Sequence, residues 1–372
     1  MKVWKDRDRR QVVNVSPTEE GVTLVELLVV VAIFSVIMAG VYSTYLAQAK
    51  HSTREHRIAE SEMELEIIKD FLERDISMAG YGFADVYCDA PTNDDSCLSG
   101  RKCPLDPPFC IPVAITAVDG TPDTLTLMGT ALGTLSRGSQ GWTYIRTSSP
   151  SFKRWGDARE DIENGDRVVY LEPNTRSLIT TADQWRFNYP DSPTLDRGTI
   201  LYGLHTADIS RPYYTVEYRL GGGPSDMPLM CAGPKTGENA VRSLLRAETS
   251  NGEYVRPILD CVRDLQVAFG LDTTDDGVID CWDNGGAFAA AYDNYTLKRR
   301  LKQVKIFLLV QLGRRDPDKD VYDKNSAALR VGDASLTACD GGTVGRDLTL
   351  TDAQRRYRWK VLSLSVAPRN LR

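Results

Sequence analysis

The chain opens its pattern with a run that carries no charge. Residues 27–49, LLVVVAIFSVIMAGVYSTYLAQA, hold no Asp, Glu, Lys or Arg over 23 positions. As a helix this run rises about 34 Å, enough for a hydrocarbon core of about 30 Å. The pattern then turns amphipathic. Leu65, Ile68, Leu72, Ile76 and Ala79 recur every three or four residues, the period of one helix face. Met63, Ile67 and Phe71 read as widening that face, with Glu62, Glu66, Lys69, Glu73 and Arg74 opposite. No Pro interrupts the stretch from Val22 to Ala90, and Gly80 and Gly82 are stop signals. The spacing predicts one helix over 22–79, about 87 Å long, with its first half in lipid and its second half on a globular domain.

From Pro112 onward the pattern is that of strands. Candidates are Ala114–Val118, Thr124–Met128, Trp142–Arg146, Arg167–Glu172, Thr199–Tyr202, Tyr213–Leu220, Asp264–Phe269, Lys302–Leu312 and Trp359–Ala367. They are rich in β-branched and aromatic residues and separated by Gly, Pro, Asn and Asp. Gly221–Asp226, Asp316–Asp320 and Asp340–Gly345 read as loops. The expected class is α+β, a long N-terminal helix packed on an antiparallel β-sheet head with a disulfide-rich loop. The expected divisions are a leader 1–21, the helix 22–80, a Cys-rich loop 81–111 and a head 112–372, itself divisible near 221–226.

Charge narrows the function. The net charge is −6, and no compact basic run is interleaved with aromatics, so nucleic acid is a poor partner. Lys298-Arg299-Arg300 and Arg355-Arg356 read as solvated charges flanking strands. Three histidines, His51, His56 and His205, are a thin inventory for acid–base work. G-x-S-x-G, H-E-x-x-H and Walker patterns are absent from the sequence. These features argue against an enzyme.

The junction before the apolar run holds the sharpest chemistry. It reads Glu19-Glu20-Gly21-Val22-Thr23-Leu24-Val25-Glu26-Leu27-Leu28. Glu26 stands inside the start of an apolar helix, where a carboxylate costs about 2.5–3.5 kcal/mol at mid-membrane and less near the end. Such a group calls for a cation. A cut after Gly21 gives Val22 a free amine four residues away, on this chain or on a neighbour. Lys2, Lys5, Arg7, Arg9 and Arg10 precede the span, which predicts a cytoplasmic N-terminus and a periplasmic head.

Gly21, a hydrophobic residue, then Thr23-Leu24-Val25-Glu26-Leu27-Leu28 resembles the class III signal of type IV pilins and pseudopilins. The resemblance implies cleavage after Gly21 and N-methylation at Val22 by a prepilin peptidase, and an assembly role for Glu26. Val22 stands where the family usually has Phe. Three further segments resemble the PilW-type minor pilins: Asp75-Ile76-Ser77-Met78-Ala79-Gly80-Tyr81-Gly82, the stretch Val262–Asp272, and Trp359–Asn370 with its Arg-Asn ending. Residues 85–250 carry little of this likeness. The resemblance implies a low-copy subunit that starts or caps a type IV pilus, serving motility and adhesion. It implies partners among other minor pilins, the major pilin, a tip adhesin and the inner-membrane assembly platform, with residence in the inner membrane before assembly. A GspJ-like pseudopilin of type II secretion is the alternative.

Eight cysteines remain: Cys88, Cys97, Cys103, Cys110, Cys231, Cys261, Cys281 and Cys339. They lack the C-x₂-C spacing of zinc sites, and a periplasmic head favours disulfides. Two bridges are expected within 88–110; the pairing of the other four stays open. Asp272, Thr274, Asp276, the Val278 carbonyl, Asp280 and Asp283, with Gly277 in register, approximate the ligand positions of a Ca²⁺ loop. An acidic β-turn is the competing reading, and calcium is the one cofactor suggested.

Overall fold

The structure is a computed structural model. It describes residues 21–84, 113–132, 141–146 and 152–371, apart from 158–159, 181–184, 192–194, 205–212, 223–226, 234–236, 238, 250–252, 285–291, 293 and 316–327. The leader before Gly21 and the expected bridges among Cys88, Cys97, Cys103 and Cys110 lie outside the described residues. Two compact units divide the chain, Met1–His56 and Arg57–Arg372. Helix α1, Leu24–Met78, contributes to both.

In the first unit, α1 begins where Thr23 accepts the Glu26 N–H on its hydroxyl at 3.3 Å and the Leu27 N–H on its carbonyl at 3.1 Å. This is N-terminal capping by a residue type suited to it. Every residue from Gly21 to Gln48 is exposed. Leu24–Met78 is long and apolar enough to cross a membrane.

The second unit is built on an antiparallel sheet. Its strands are β1 (Ile115–Val118), β2 (Thr124–Gly129), β7 (Tyr214–Gly221), β8 (Arg242–Thr249), β9 (Glu253–Leu271), β11 (Leu301–Leu312) and β14 (Arg358–Val366), neighbours in that order. Strand β10 (Cys281–Asn284) pairs with the end of β9. A four-stranded sheet orders β3 (Trp142–Tyr144), β6 (Ile200–Gly203), β4 (Arg167–Leu171) and β5 (Phe187–Asn188). A hairpin joins β12 (Ala328–Thr337) and β13 (Thr343–Thr349). Helix α2, Asn294–Arg300, leads into β11.

Strand alternation sets which face meets which layer. On β11, Val304, Ile306, Leu308 and Val310 join the core that contains Leu65, Ile68, Leu72 and Ile76 of α1. Phe307 and Leu309 point the other way and pack with Val331 and Val344 of the hairpin. The sheet is therefore covered on one face by the soluble half of α1 and on the other by β12–β13. Each fully buried Leu or Ile in this arrangement contributes roughly 1.5–3 kcal/mol.

The expected α+β class is observed, and several expectations are corrected. Met63, Ile67 and Phe71 do not widen the buried face; they are 60%, 55% and 39% exposed. They lie on the side of the helix away from Leu65, Leu72 and Ile76. Lys298, Arg299 and Arg300 do flank a strand, β11, from the last turn of α2, where cations suit the helix C-terminus. The expected division near 221–226 crosses a continuous sheet, since β7 and β8 on either side of it pair directly. Asp340–Gly345 is the turn of β12–β13 together with the first residues of β13.

Candidate functional site

Three places deserve chemistry: the start of α1, the end of α1, and the acidic turn after β9. At the start, Gly21, Val22 and Glu26 are all exposed on the first unit. An added Cβ at Gly21 would meet nothing within 4 Å.

At the end of α1, Asp75 is buried at 1% exposure. Its Oδ2 accepts the Tyr218 hydroxyl at 2.6 Å and the Arg246 Nε–H at 2.8 Å. Arg246 also donates to the Glu248 carboxylate and, at 3.0 Å, to the Leu132 carbonyl. Burial works against the Arg246 charge, but Asp75 beside it outweighs this and holds the guanidinium protonated. Burial, reinforced by the Asp75 charge, pushes the Tyr218 hydroxyl well above its usual range. The group fastens α1 to β7 and β8 with every partner inside the protein.

The helix then stops at a tight junction. Gly80 and Gly82 have φ of 77° and 79°, a region that L side chains avoid. A Cβ on Gly80 would stand 2.5 Å from Leu371, and one on Gly82 2.6 Å from Thr130. Between them Tyr81 meets Tyr202 edge-on at 5.3 Å. Asn370 donates its Nδ2–H to the Ser77 carbonyl at 2.7 Å, satisfying one of the orphan acceptors at the helix C-terminus. The Asp75–Gly82 segment and the Arg-Asn ending therefore meet in space.

The middle segment, Val262–Asp272, lies in the centre of the sheet on β9. Strand β8 covers one edge of β9 as far as Val262, and β10 resumes at Ala268. Asp123 fills part of the gap. Its N–H donates to the Leu265 carbonyl at 3.0 Å, and its carboxylate accepts the Val267 N–H at 2.8 Å and the Gly120 N–H at 3.1 Å. Burial pushes the Asp123 carboxyl up to about 7, while the N–H bonds from Val267 and Gly120 pull against it. Asp264, also buried, is held by the fork of Arg346 from β13; burial still raises its carboxyl above the usual range.

The acidic turn is organised by donors. Asp272 Oδ1 accepts the Asp275 N–H at 2.6 Å and the Asp276 N–H at 3.1 Å. Its Oδ2 accepts the Gly277 N–H at 2.7 Å and stands 3.2 Å from Lys302 Nζ. Asp280 accepts the Thr273 and Thr274 N–H groups at 2.7 and 2.9 Å, Asp276 caps the Val278 N–H at 2.9 Å, and Asp275 pairs with Arg299. Burial opposes the Asp272 charge, but these N–H bonds and Lys302 prevail and lower its carboxyl. Thr274 donates its hydroxyl to Asp280 rather than offering an oxygen inward. Among the described residues no three His, Cys, Asp or Glu side chains converge as a metal-holding group. The sequence register of a calcium loop is present, and its Asp272, Asp276 and Asp280 carboxylates accept N–H groups of the turn. Asp283 lies on β10, buried.

Two disulfides are formed among the second four cysteines, Cys231–Cys261 and Cys281–Cys339. The first ties the segment before β8 to β9, and the second ties β10 to the β12–β13 turn.

Residues 230–370 match the family model Type IV Pilus-assembly protein W, and residues 17–42 match the Prokaryotic N-terminal methylation motif. The two matches support a PilW-like type IV pilin. The first match spans β8, β9, β11 and β14, the half of the main sheet that ends at the β14 edge; the second spans the Gly21–Val22 junction and Glu26. The matches support a type IV pilus-related minor pilin, and the matched family is structural rather than catalytic. The chain's methylation motif and apolar helix fit anchoring in the inner membrane, and its setting is one of interaction with other pilins and the pilus machinery. Neither a curated protein nor a solved structure gives a match. Sequence reasoning missed Arg246, Glu248 and Tyr218 as partners of Asp75, for want of any local signal linking positions so far apart.

Proposed function

We propose that this pilin starts or caps pilus assembly as a low-copy subunit. The observation that carries the reading is the uncharged, wholly exposed helix start with Glu26 as its acid. In lipid that carboxylate needs a cation. Cleavage after Gly21 and N-methylation at Val22 by a prepilin peptidase supply one, on this chain before assembly or on a neighbour afterwards. Exposed Met63, Ile67 and Phe71, at intervals of four on the helix side opposite the sheet, offer a second apolar ridge suited to another helix. The cytoplasmic N-terminus follows from the basic leader, and the periplasmic head later reaches the cell surface. Neighbours of this subunit are other minor pilins, the major pilin, a tip adhesin and the assembly platform.

Deleting the gene and counting pili by electron microscopy tests this reading. Pili should disappear and return with the wild-type gene, but not with Glu26→Ala. Mass spectrometry should find the mature chain beginning at methylated Val22. Unchanged pili in the deletion strain would overturn the assembly role.

A further inference from the structure

The four-stranded sheet ends at β3, wholly within the second unit. The chain that follows runs back beside this strand. Ile145 bridges Phe152, Lys153 donates its N–H to the Tyr144 carbonyl at 3.2 Å, and Trp155 donates its Nε1–H to the Trp142 carbonyl at 2.6 Å. Trp142 and Tyr144 stand two apart on β3 and so share one side of it. Their rings lie 6.1 Å apart and 29° from parallel, and Trp155 meets Trp142 edge-on at 5.5 Å. Trp142 and Tyr144 are half-buried; Trp155 is exposed, alone among the tryptophans of the described residues. Its open face is covered by a cation. Lys153 Nζ stands 3.6 Å from the centre of the Trp155 ring and 5.8 Å from that of Tyr144. Among the described residues no carboxylate pairs with Lys153. A lysine held only by ring faces near the surface is held weakly and keeps its rotamer freedom.

The charges around the rings decide what could take its place. The described residues of 141–146, 152–161 and 196–198 carry four cations, Arg146, Lys153, Arg154 and Arg197, and four acids, Asp157, Glu160, Asp161 and Asp196. Asp161 accepts the Trp155 and Gly156 N–H groups at 2.6 and 3.2 Å. Glu160 adjoins the start of β3, its Cβ 3.3 Å from a Cβ built on Gly141. The balance favours neither an anion nor a cation as ligand. It suits a molecule whose polar groups both donate and accept, as hydroxyls do. The ring faces are electron-rich and suit the C–H face of a sugar ring. Flat apolar walls with a few polar groups at the rim are the usual make-up of a small-ligand site. We propose that Trp155, with Tyr144 and Lys153, forms a binding site for an uncharged oligosaccharide. One pyranose lies on the Trp155 ring once Lys153 swings aside to meet its hydroxyls. The site is separate from α1 and stands whether or not the chain starts or caps a pilus.

The test is a calorimetric titration of the full-length chain in phosphatidylcholine nanodiscs with cellohexaose and with chitohexaose. At least one should give saturable heat. Trp155→Ala should weaken binding about tenfold or more. Trp155→Phe, which keeps a flat ring, should weaken it less and serves if the alanine variant fails to fold, as judged by its melting curve. Lys153→Ala uncovers the ring and should weaken binding far less than Trp155→Ala does. Absence of heat with both oligosaccharides would overturn the proposal, and so would binding that Trp155→Ala and Trp155→Phe leave unchanged. Tighter binding of oligogalacturonate than of either neutral chain would overturn the uncharged ligand. Heat on diluting the chain alone, with none from saccharide, would make the rings a contact between copies and overturn the site. None of these results bears on pilus counts in the deletion strain, so the assembly reading stands or falls by its own experiment.

Discussion

Asp75 near the end of α1 accepts a hydrogen bond from Arg246 on β8 at 2.8 Å, across 171 residues of sequence. Because both groups are buried, the pair is worth most when judged by its loss. Asp75→Ala leaves Arg246 and the Tyr218 hydroxyl without their main partner and is expected to cost about 3–5 kcal/mol. Replacing both members, Asp75→Leu with Arg246→Met, should cost less than Asp75→Ala alone, because no charge is left stranded. Denaturant unfolding of the variants measures both, and a double variant as unstable as the single one would show that the network does not act as a unit.

The junction after α1 predicts a graded pair of effects. Gly80→Ala places a Cβ at a positive φ and 2.5 Å from Leu371, so destabilisation of roughly 1–3 kcal/mol is expected. Asn370→Ala removes only the bond to the Ser77 carbonyl and should cost about 1 kcal/mol. Thermal melts that rank the two in reverse would contradict the packing described.

Asp123 gives a pH dependence with a definite sign. Its carboxyl is raised from 3.8 to about 7 in the folded protein. Between those values the folded state keeps a proton that the unfolded state has released. Stability from this group therefore falls as pH rises from about 4 to about 7, and is level above that. The loss is up to about 4 kcal/mol. Asp264 is raised as well and Asp272 and Asp280 are lowered, so the measurement is the difference between wild type and Asp123→Asn in denaturant midpoint across this range. The wild type should show the steeper decline.

The acidic turn holds its shape through its own N–H groups. Millimolar calcium is expected to leave the melting temperature unchanged, whereas specific binding to the folded state would raise it with concentration. Asp272→Ala, by contrast, should destabilise the head without any calcium present, since three backbone N–H groups lose their acceptor.

Legibility in the sequence followed locality. The apolar run, the stripe from Leu65 to Ala79 and the stop at Gly80 were readable because helix periodicity and glycine stops act over a few residues. Strands such as β11 were readable because Val304, Ile306, Leu308 and Val310 alternate on one face. Strand β8 was missed because Arg246 and Glu248 interrupt its apolar pattern, and these charges are buried only through Asp75, far away in the chain. The hairpin β12–β13 was missed because it buries few side chains, Val331 and Val344 among them. The stripe Met63–Ile67–Phe71 was misassigned since hydrophobicity alone does not say which of two apolar faces meets the sheet.

The bond from Asn370 to Ser77 spans 293 residues. Ribosomes add about 5–20 residues per second, so roughly 15–60 s separate the synthesis of the two groups. Through that interval the soluble half of the helix exists without the strand ending that closes it. Its sheet-facing stripe, Leu65 to Ala79, is made early and covered late. The subunit is therefore most exposed to misassembly while it is still being made, before its head has shut over the helix.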